Sequence, residues 1–272
     1  MTEREDKSPP PPILRMKRPT EPSVFTPEAL LREARRQKGV GDRAVPEVCI
    51  LDPDGDIVRH LRVTGSARRH PDWACYHTEL YEFEIDGGRF GIVGCAVGAS
   101  FAVLIAEEMF ASGCRLLVSM TSAGQILPVR TPPYYIVIDR ALRDEGTSYH
   151  YLPPADYSDA DPRLVRLARD TLLDANIAAA VGSSWTTDAP FRETRAAIEA
   201  AEQAGVLAVE MEAAALYAFA QARSQQVLCL AHVTNQMGRI EGDFEKGAVD
   251  GAQDSLNAIA LVAHRWWKEL SR

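Results

Sequence analysis

No stretch of the 272-residue chain stays apolar for the roughly 18 residues that a membrane-spanning helix needs. The N-terminus lacks the apolar segment that directs secretion. Positive charge is in deficit: 30 Lys and Arg face 38 Asp and Glu, leaving a net charge of -8. Such a balance argues against nucleic acid or an anionic membrane as partner. A small anionic ligand would need a local arginine or a set of backbone N–H donors. There is no C-x-x-C pair and no internal repeat. The five cysteines are Cys49, Cys75, Cys95, Cys114 and Cys229. Their number is odd, and Cys49, Cys95, Cys114 and Cys229 lie in or beside apolar runs. They read as reduced core residues of a cytoplasmic protein, not as a disulfide frame or a metal site.

The composition, 46% hydrophobic and 25% charged, is that of a globular chain with length enough for a sizeable core. Residues 1–22, "MTEREDKSPPPPILRMKRPTEP", are charged and proline-rich, and are expected to form a disordered arm. Residues 23–272 read as one α/β domain. "TPEALLREARRQKG" predicts a helix capped by Thr26, with Pro27 in its first turn and Gly39 at its end. Beyond it, β-like runs alternate with helical ones: "EVCILD", a hairpin turning at Asp86-Gly87-Gly88, the helix "SFAVLIAEEMFASG", then "RLLVSM" and "YYIVIDRAL". The helices "DPRLVRLARDTLLDANI", "RETRAAIEAAEQAG" and "EMEAAALYAFAQARS" follow, with the strand "QVLCLAHVTNQ" and a long C-terminal helix from Glu245. "PDGDIVRHL" reads as a loop and "TSAG" as a turn. The alternation predicts helices layered on a mostly parallel or mixed sheet.

Ligands of such folds bind beyond the carboxyl ends of the strands. Every such end here is polar: Gly55 to Arg59, Thr121 to Gly124, Arg143 to His150, Thr186 to Asp188, Glu210 to Glu212, Thr234 to Gln236. Singly, each has a plain structural explanation. Glu210 and Glu212 could serve only the positive end of a helix dipole, worth ~0.3–1 kcal/mol each. Arg59 could be a solvated surface arginine, and His150 a packed, hydrogen-bonded one. A near match to a serine-hydrolase elbow, Gly98-Ala99-Ser100-Phe101-Ala102, lacks its last glycine, and its possible partners His232 and His264 fall within a strand and a helix.

"EMEAAALY" resembles the ribose signature of the nucleoside phosphorylase family, which includes uridine phosphorylases, hexameric purine nucleoside phosphorylases and nucleosidases. "GDIVR" is similar to that family's phosphate loop, with Ile57 where proline is usual. "RDEGTSYHYLPP" and "WTTDAPFRET" resemble its segments around the base. The resemblance runs from about Glu47 to the C-terminus. It implies a single domain around a mixed, partly barrel-like sheet, and a homo-oligomer, dimer or hexamer, with sites near subunit interfaces. It implies a ribose site of Glu210, Met211 and Glu212, and a phosphate site of Gly55, Arg59 and Ser122. Asp188, Arg192, Asn235 and Gln236 would meet the base. Glu212, Arg59 and Asn235 would be the catalytic set. No cofactor or metal is implied, only a nucleoside and phosphate as co-substrates. The expected reaction is phosphorolysis of a ribonucleoside to base and ribose 1-phosphate.

Two departures keep other readings open. Ser119 stands where the phosphorylases carry a second phosphate arginine, with Arg143 as a possible substitute, and "TSAG" is closer to the turn of the water-using nucleosidases. Asn235 stands where purine phosphorylases place an acid, and asparagine cannot act as a general acid. A nucleoside hydrolase is the alternative, and a nucleoside-binding protein without turnover comes next.

Overall fold

The computed structural model describes residues 9–236, Lys246 and residues 251–271. Its elements, in chain order, are α1 (Pro12–Arg15), α2 (Pro27–Lys38), β1 (Val48–Asp52), α3 (Asp56–Val63), β2 (Ala67–Arg69), β3 (Tyr81–Ile85), β4 (Gly88–Gly94), α4 (Ala99–Ala111), β5 (Leu116–Gln125) and β6 (Tyr134–Asp144). There follow β7 (Tyr157–Asp159), α5 (Pro162–Asp174), β8 (Ala179–Thr187), α6 (Arg195–Gln203), β9 (Ala208–Glu210), α7 (Ala213–Arg223), β10 (Val227–Asn235) and α8 (Ala252–Leu270).

The strands pair in the order β10-β6-β8-β9-β5-β1-β4-β3-β2, with β7 on β6. An additional pairing of β10 with β5 closes β5, β10, β6, β8 and β9 into a five-stranded mixed barrel. Strands β1, β4, β3 and β2 extend the sheet outward from β5, and β7 lies beside β6. The result is a single-domain α/β fold of the expected class. β1 and β10 are buried along their whole length, as continuous apolar strands between two layers should be. The run Ala213–Ala220 of α7 is buried on every side, which is why this helix is alanine-rich and not amphipathic. Among the described residues, no helix is long and apolar enough to cross a membrane.

The helix starts follow the capping chemistry of the sequence. Thr26 Oγ1 accepts the Ala29 N–H at 3.3 Å, Asp161 accepts that of Arg163 at 2.7 Å, and Thr194 that of Ala197 at 3.3 Å. The β3–β4 hairpin turns at Asp86 and Gly87, both at positive φ.

Three readings of the sequence change. "DIVRHLRV" is not loop but α3, with Ile57, Val58 and Leu61 buried on one face. Its start is organised from a distance: Asp52 Oδ2 accepts the Val58 N–H at 2.9 Å, so a capping group three residues before the N-cap Gly55 hid the helix from a local reading. "TSAG" is not a turn but the end of β5, held in the barrel by β10 on one side and β9 on the other. Cys95 is exposed, in a left-handed turn after β4, whereas Cys75 is buried. The start of the C-terminal helix, placed at Glu245, lies outside the described residues.

Candidate active site

The barrel registers bring the polar strand ends together. Thr186 of β8 lies beside Glu210 of β9, Val209 beside Gly124 of β5, and Gly124 beside Asn235 of β10. Four of the polar segments therefore converge at one end of the barrel, with the N-terminus of α4 facing them.

The two glutamates divide the work. Glu210 is buried, and its carboxylate accepts from Ser184 Oγ (3.0 Å), Thr186 Oγ1 (2.5 Å), and the N–H groups of Glu212 and Ala213 (2.7 Å each). Both of its oxygens are thus occupied by its own chain. It starts α7 and fixes the residue two positions on. Glu212 is 1% exposed and takes one hydrogen bond per oxygen, from the Gly98 N–H at 2.8 Å and from Thr121 Oγ1 at 3.0 Å. Gly98 is the N-cap of α4, so the positive end of that helix points at the Glu212 carboxylate. Burial, reinforced by the Glu210 charge, lifts the Glu212 carboxyl to about 8. Burial also raises Glu210, against the pull of its four donors. Met211 lies between them, half-buried.

The second part of the site lies where β1 meets α3. Gly55 holds φ +76°, and a Cβ there would stand 2.4 Å from Cys95 Sγ. Gly55→Ala is therefore expected to destabilise the fold by more than the ~1–2 kcal/mol of a left-handed residue alone. The check is thermal melting: Cys95→Ala should recover part of the loss, and an unchanged melting temperature would contradict the crowding. The Gly55 N–H donates to Asp52, to the carbonyl at 3.0 Å and to Oδ1 at 3.2 Å. Ser122 donates its N–H to Asp54 Oδ2 at 2.8 Å and its hydroxyl to Oδ1 at 3.0 Å. Arg59, more than half exposed, pairs with Asp56 at 2.6 Å, and Lys246 reaches the other oxygen of Asp56 at 2.5 Å. Burial raises the Asp52 carboxyl to about 7. His232 stacks on Tyr135 with ring centroids 4.9 Å apart, and burial holds its imidazole below the usual range.

The remaining site residues of the sequence are more dispersed. Asp188 accepts the Gly146 N–H at 2.9 Å and so ties the end of β8 to the loop after β6. Asn235 is 8% exposed at the end of β10, its amide 3.2 Å from Thr234 Oγ1, and Gln236 follows it, half-buried. Arg192 sits in an exposed turn, Pro190–Arg192. Arg143 is not available as a substitute phosphate arginine. It is 5% exposed and donates to Ser148 Oγ and to the Pro153 carbonyl, both at 2.8 Å, with its guanidinium over the Tyr149 ring. Ser100 is exposed in the first turn of α4 and makes no hydrogen bond to Asp188, His232 or His264. The glycine of its apparent elbow serves Glu212 instead.

The Gly98 N–H and the aspartates Asp52 and Asp54 have no place in the sequence reading, and Thr121 enters it only as part of a polar strand end. "DPDGD", three acids spaced by two directly after a strand, is the signal that could have found the aspartates.

Comparison with known proteins gives the family. Residues 55–264, well over half of the chain, match the model of the phosphorylase superfamily. A uridine phosphorylase of Thermococcus kodakarensis is 23% identical over 243 residues, covering 80% of this chain and 87% of that protein. A guanosine phosphorylase of Halorubrum lacusprofundi is 26% identical over 214 residues, covering 73% and 86%. A DeoD-type purine nucleoside phosphorylase of Geobacillus kaustophilus is 28% identical over 179 residues, covering 65% and 74%. The matched segment takes in both the Gly55 turn and the two glutamates, and the chain belongs to the phosphorylase superfamily.

Proposed function

We propose that this protein cleaves the N-glycosidic bond of a ribonucleoside, with the sugar held at Glu212 and an oxygen acceptor bound between Gly55 and Ser122. The buried, doubly hydrogen-bonded Glu212 carboxylate carries this reading. In the proposed complex the vicinal 2′- and 3′-hydroxyls donate to it, and Met211 covers the apolar face of the sugar. Loss of the base builds positive charge on the ribose ring. A carboxylate fixed beside that ring in a water-poor site stabilises the transition state more than the ground state. The leaving base would be met by Asp188, Asn235 and Gln236, with Arg192 reaching in from its exposed turn.

Two acceptors fit this scheme. Phosphate, giving ribose 1-phosphate, is supported by the names of the relatives and by the Gly55, Arg59 and Ser122 set. Water, giving free ribose, is supported by Ser119 in β5, whose buried hydroxyl has no hydrogen-bond partner among the described residues and brings no charge. A homo-oligomer, dimer or hexamer, in the cytoplasm completes the proposal. The unpaired cysteines support the location.

The test is to incubate the protein with purine and pyrimidine ribonucleosides, with and without phosphate, and to separate the products. Release of base from at least one is expected. Binding without release from any would leave a nucleoside-binding protein instead.

The pH dependence follows from Glu212. Its role needs the ionised form, which becomes dominant as pH rises through about 8. In the free enzyme kcat/KM should therefore climb with pH up to about 8 and then level off. Stability moves the other way. A carboxyl raised from 4.5 to about 8 by folding contributes stability at low pH that is lost across that interval. An acid limb of kcat/KM centred in the ordinary carboxylate range would contradict this assignment.

A further inference from the structure

Each of the three residues placed at the acceptor site is already paired with an aspartate. Gly55 donates to Asp52, Ser122 to Asp54, and Arg59 to Asp56. The Ser122 pairing is the most telling, because both donors of that residue, N–H and O–H, converge on the two oxygens of one carboxylate. That is the bidentate seat an oxyanion would take, and Asp54 fills it. The partly open cleft lined by Asp52, Asp54, Thr121, Ser122, His232 and Lys246 leaves about 20 Å3 for a water-sized molecule. A water molecule needs roughly 10–15 Å3 of such space, so one fits, while an anion seated on both donors of Ser122 would have to displace Asp54. A phosphate dianion entering here would also face the Asp54 charge at contact distance. The cations nearby, Arg59 and Lys246, are held by Asp56.

Resting on the cleavage reading above, we propose that Asp54 selects the acceptor: it takes the place of phosphate on Ser122 and presents one water to the sugar, making the reaction a hydrolysis. The Asp54 carboxylate accepts a proton from that water as the water oxygen bonds to C1′. The C1′–N bond breaks with its electron pair going to the base, which takes up a proton from solvent. Asp54 then returns its own proton to solvent. One nucleoside and one water give one free ribose and one neutral base. Ser122, by fixing both Asp54 oxygens, orients the base catalyst. No second arginine is required in this scheme, so serine at position 119 costs nothing.

The experiment compares wild type, Asp54→Asn and Asp54→Ser, each with and without inorganic phosphate, and identifies the sugar product. Wild type should release base and free ribose at a rate indifferent to phosphate. Asp54→Asn keeps an oxygen for the Ser122 N–H but loses the proton acceptor, and its rate should fall about 10²- to 10⁴-fold. Asp54→Ser opens the seat, and its residual activity should become phosphate-dependent and yield ribose 1-phosphate. A change of acceptor is a readout that simple loss of structure would not produce. Base release by wild type only with phosphate, as ribose 1-phosphate, would overturn the assignment of Asp54 while leaving nucleoside cleavage intact. Undiminished phosphate-free hydrolysis by Asp54→Asn would overturn its role as base. No base from wild type in either condition would instead remove the cleavage reading on which the proposal stands.

Discussion

Glu212→Gln should lower kcat/KM for nucleoside cleavage by about 10²- to 10³-fold, the usual consequence of removing one preorganised electrostatic group from a reacting centre. Glutamine keeps the shape of the side chain and an oxygen for the Gly98 N–H. It removes the charge that faces the sugar, and it gives Thr121 an amide to accept from in place of a carboxylate to donate to. The loss should fall mainly on kcat, since a neutral amide can still hydrogen-bond the ribose hydroxyls of the ground state. The rise of activity with pH should vanish in the same variant. Melting should change little, because both neighbouring donor groups keep a partner or become acceptors. Full activity in Glu212→Gln would refute the ribose assignment.

Glu210→Ala should behave differently, as a loss of fold more than of chemistry. The substitution strips the acceptor from the Glu212 and Ala213 N–H groups at the buried start of α7. At ~1–3 kcal/mol for each unsatisfied buried donor, the two together cost about 2–6 kcal/mol, before the hydroxyls of Ser184 and Thr186 are counted. In a chain of this size that is a fall in Tm on the order of 10 °C. Glu210→Gln should recover much of it, because one amide oxygen can still serve the two N–H groups and the Ser184 and Thr186 hydroxyls can accept from the NH2. Differential scanning calorimetry of the three proteins decides the matter. Equal melting of Glu210→Ala and wild type would mean that these four hydrogen bonds do not organise the turn.

The contrast between these glutamates shows how far the sequence was readable. Two acids between an apolar strand and an alanine-rich helix marked the place, and the resemblance of "EMEAAALY" assigned it a sugar. Which acid meets the ligand depends on partners far away in the chain: Ser184 and Thr186 for one, Gly98 and Thr121 for the other. Those contacts arise only when the barrel closes, so no local pattern records them. The same holds for α3. Its apolar positions Ile57, Val58 and Leu61 have helical spacing, but the group that caps it, Asp52, belongs to the preceding strand. Arg143 shows the opposite error. An arginine in a polar loop looked available for an anion, yet folding wraps it in the carbonyls and ring of its own loop. The helix cap Thr26 is legible in the sequence because its donor, the Ala29 N–H, lies three residues away.

The acceptor site was the least legible part. Gly55, Arg59 and Ser122 were found by resemblance, but "DPDGD" passed as a loop with charge in it. Only the fold sets Asp54 against Ser122, which lies 68 residues away in the sequence.

The central claim is that Glu212 holds the ribose hydroxyls while the glycosidic bond breaks. Its most direct test is a cycle of four kcat/KM values: wild type and Glu212→Gln, each with the best ribonucleoside and with its 2′-deoxy analogue. If the carboxylate and the hydroxyl act on one another, deleting the hydroxyl should cost wild type much more than it costs the variant, with a coupling of about 0.5–3 kcal/mol. Losses that simply add, leaving no coupling, would mean that Glu212 does not touch the sugar.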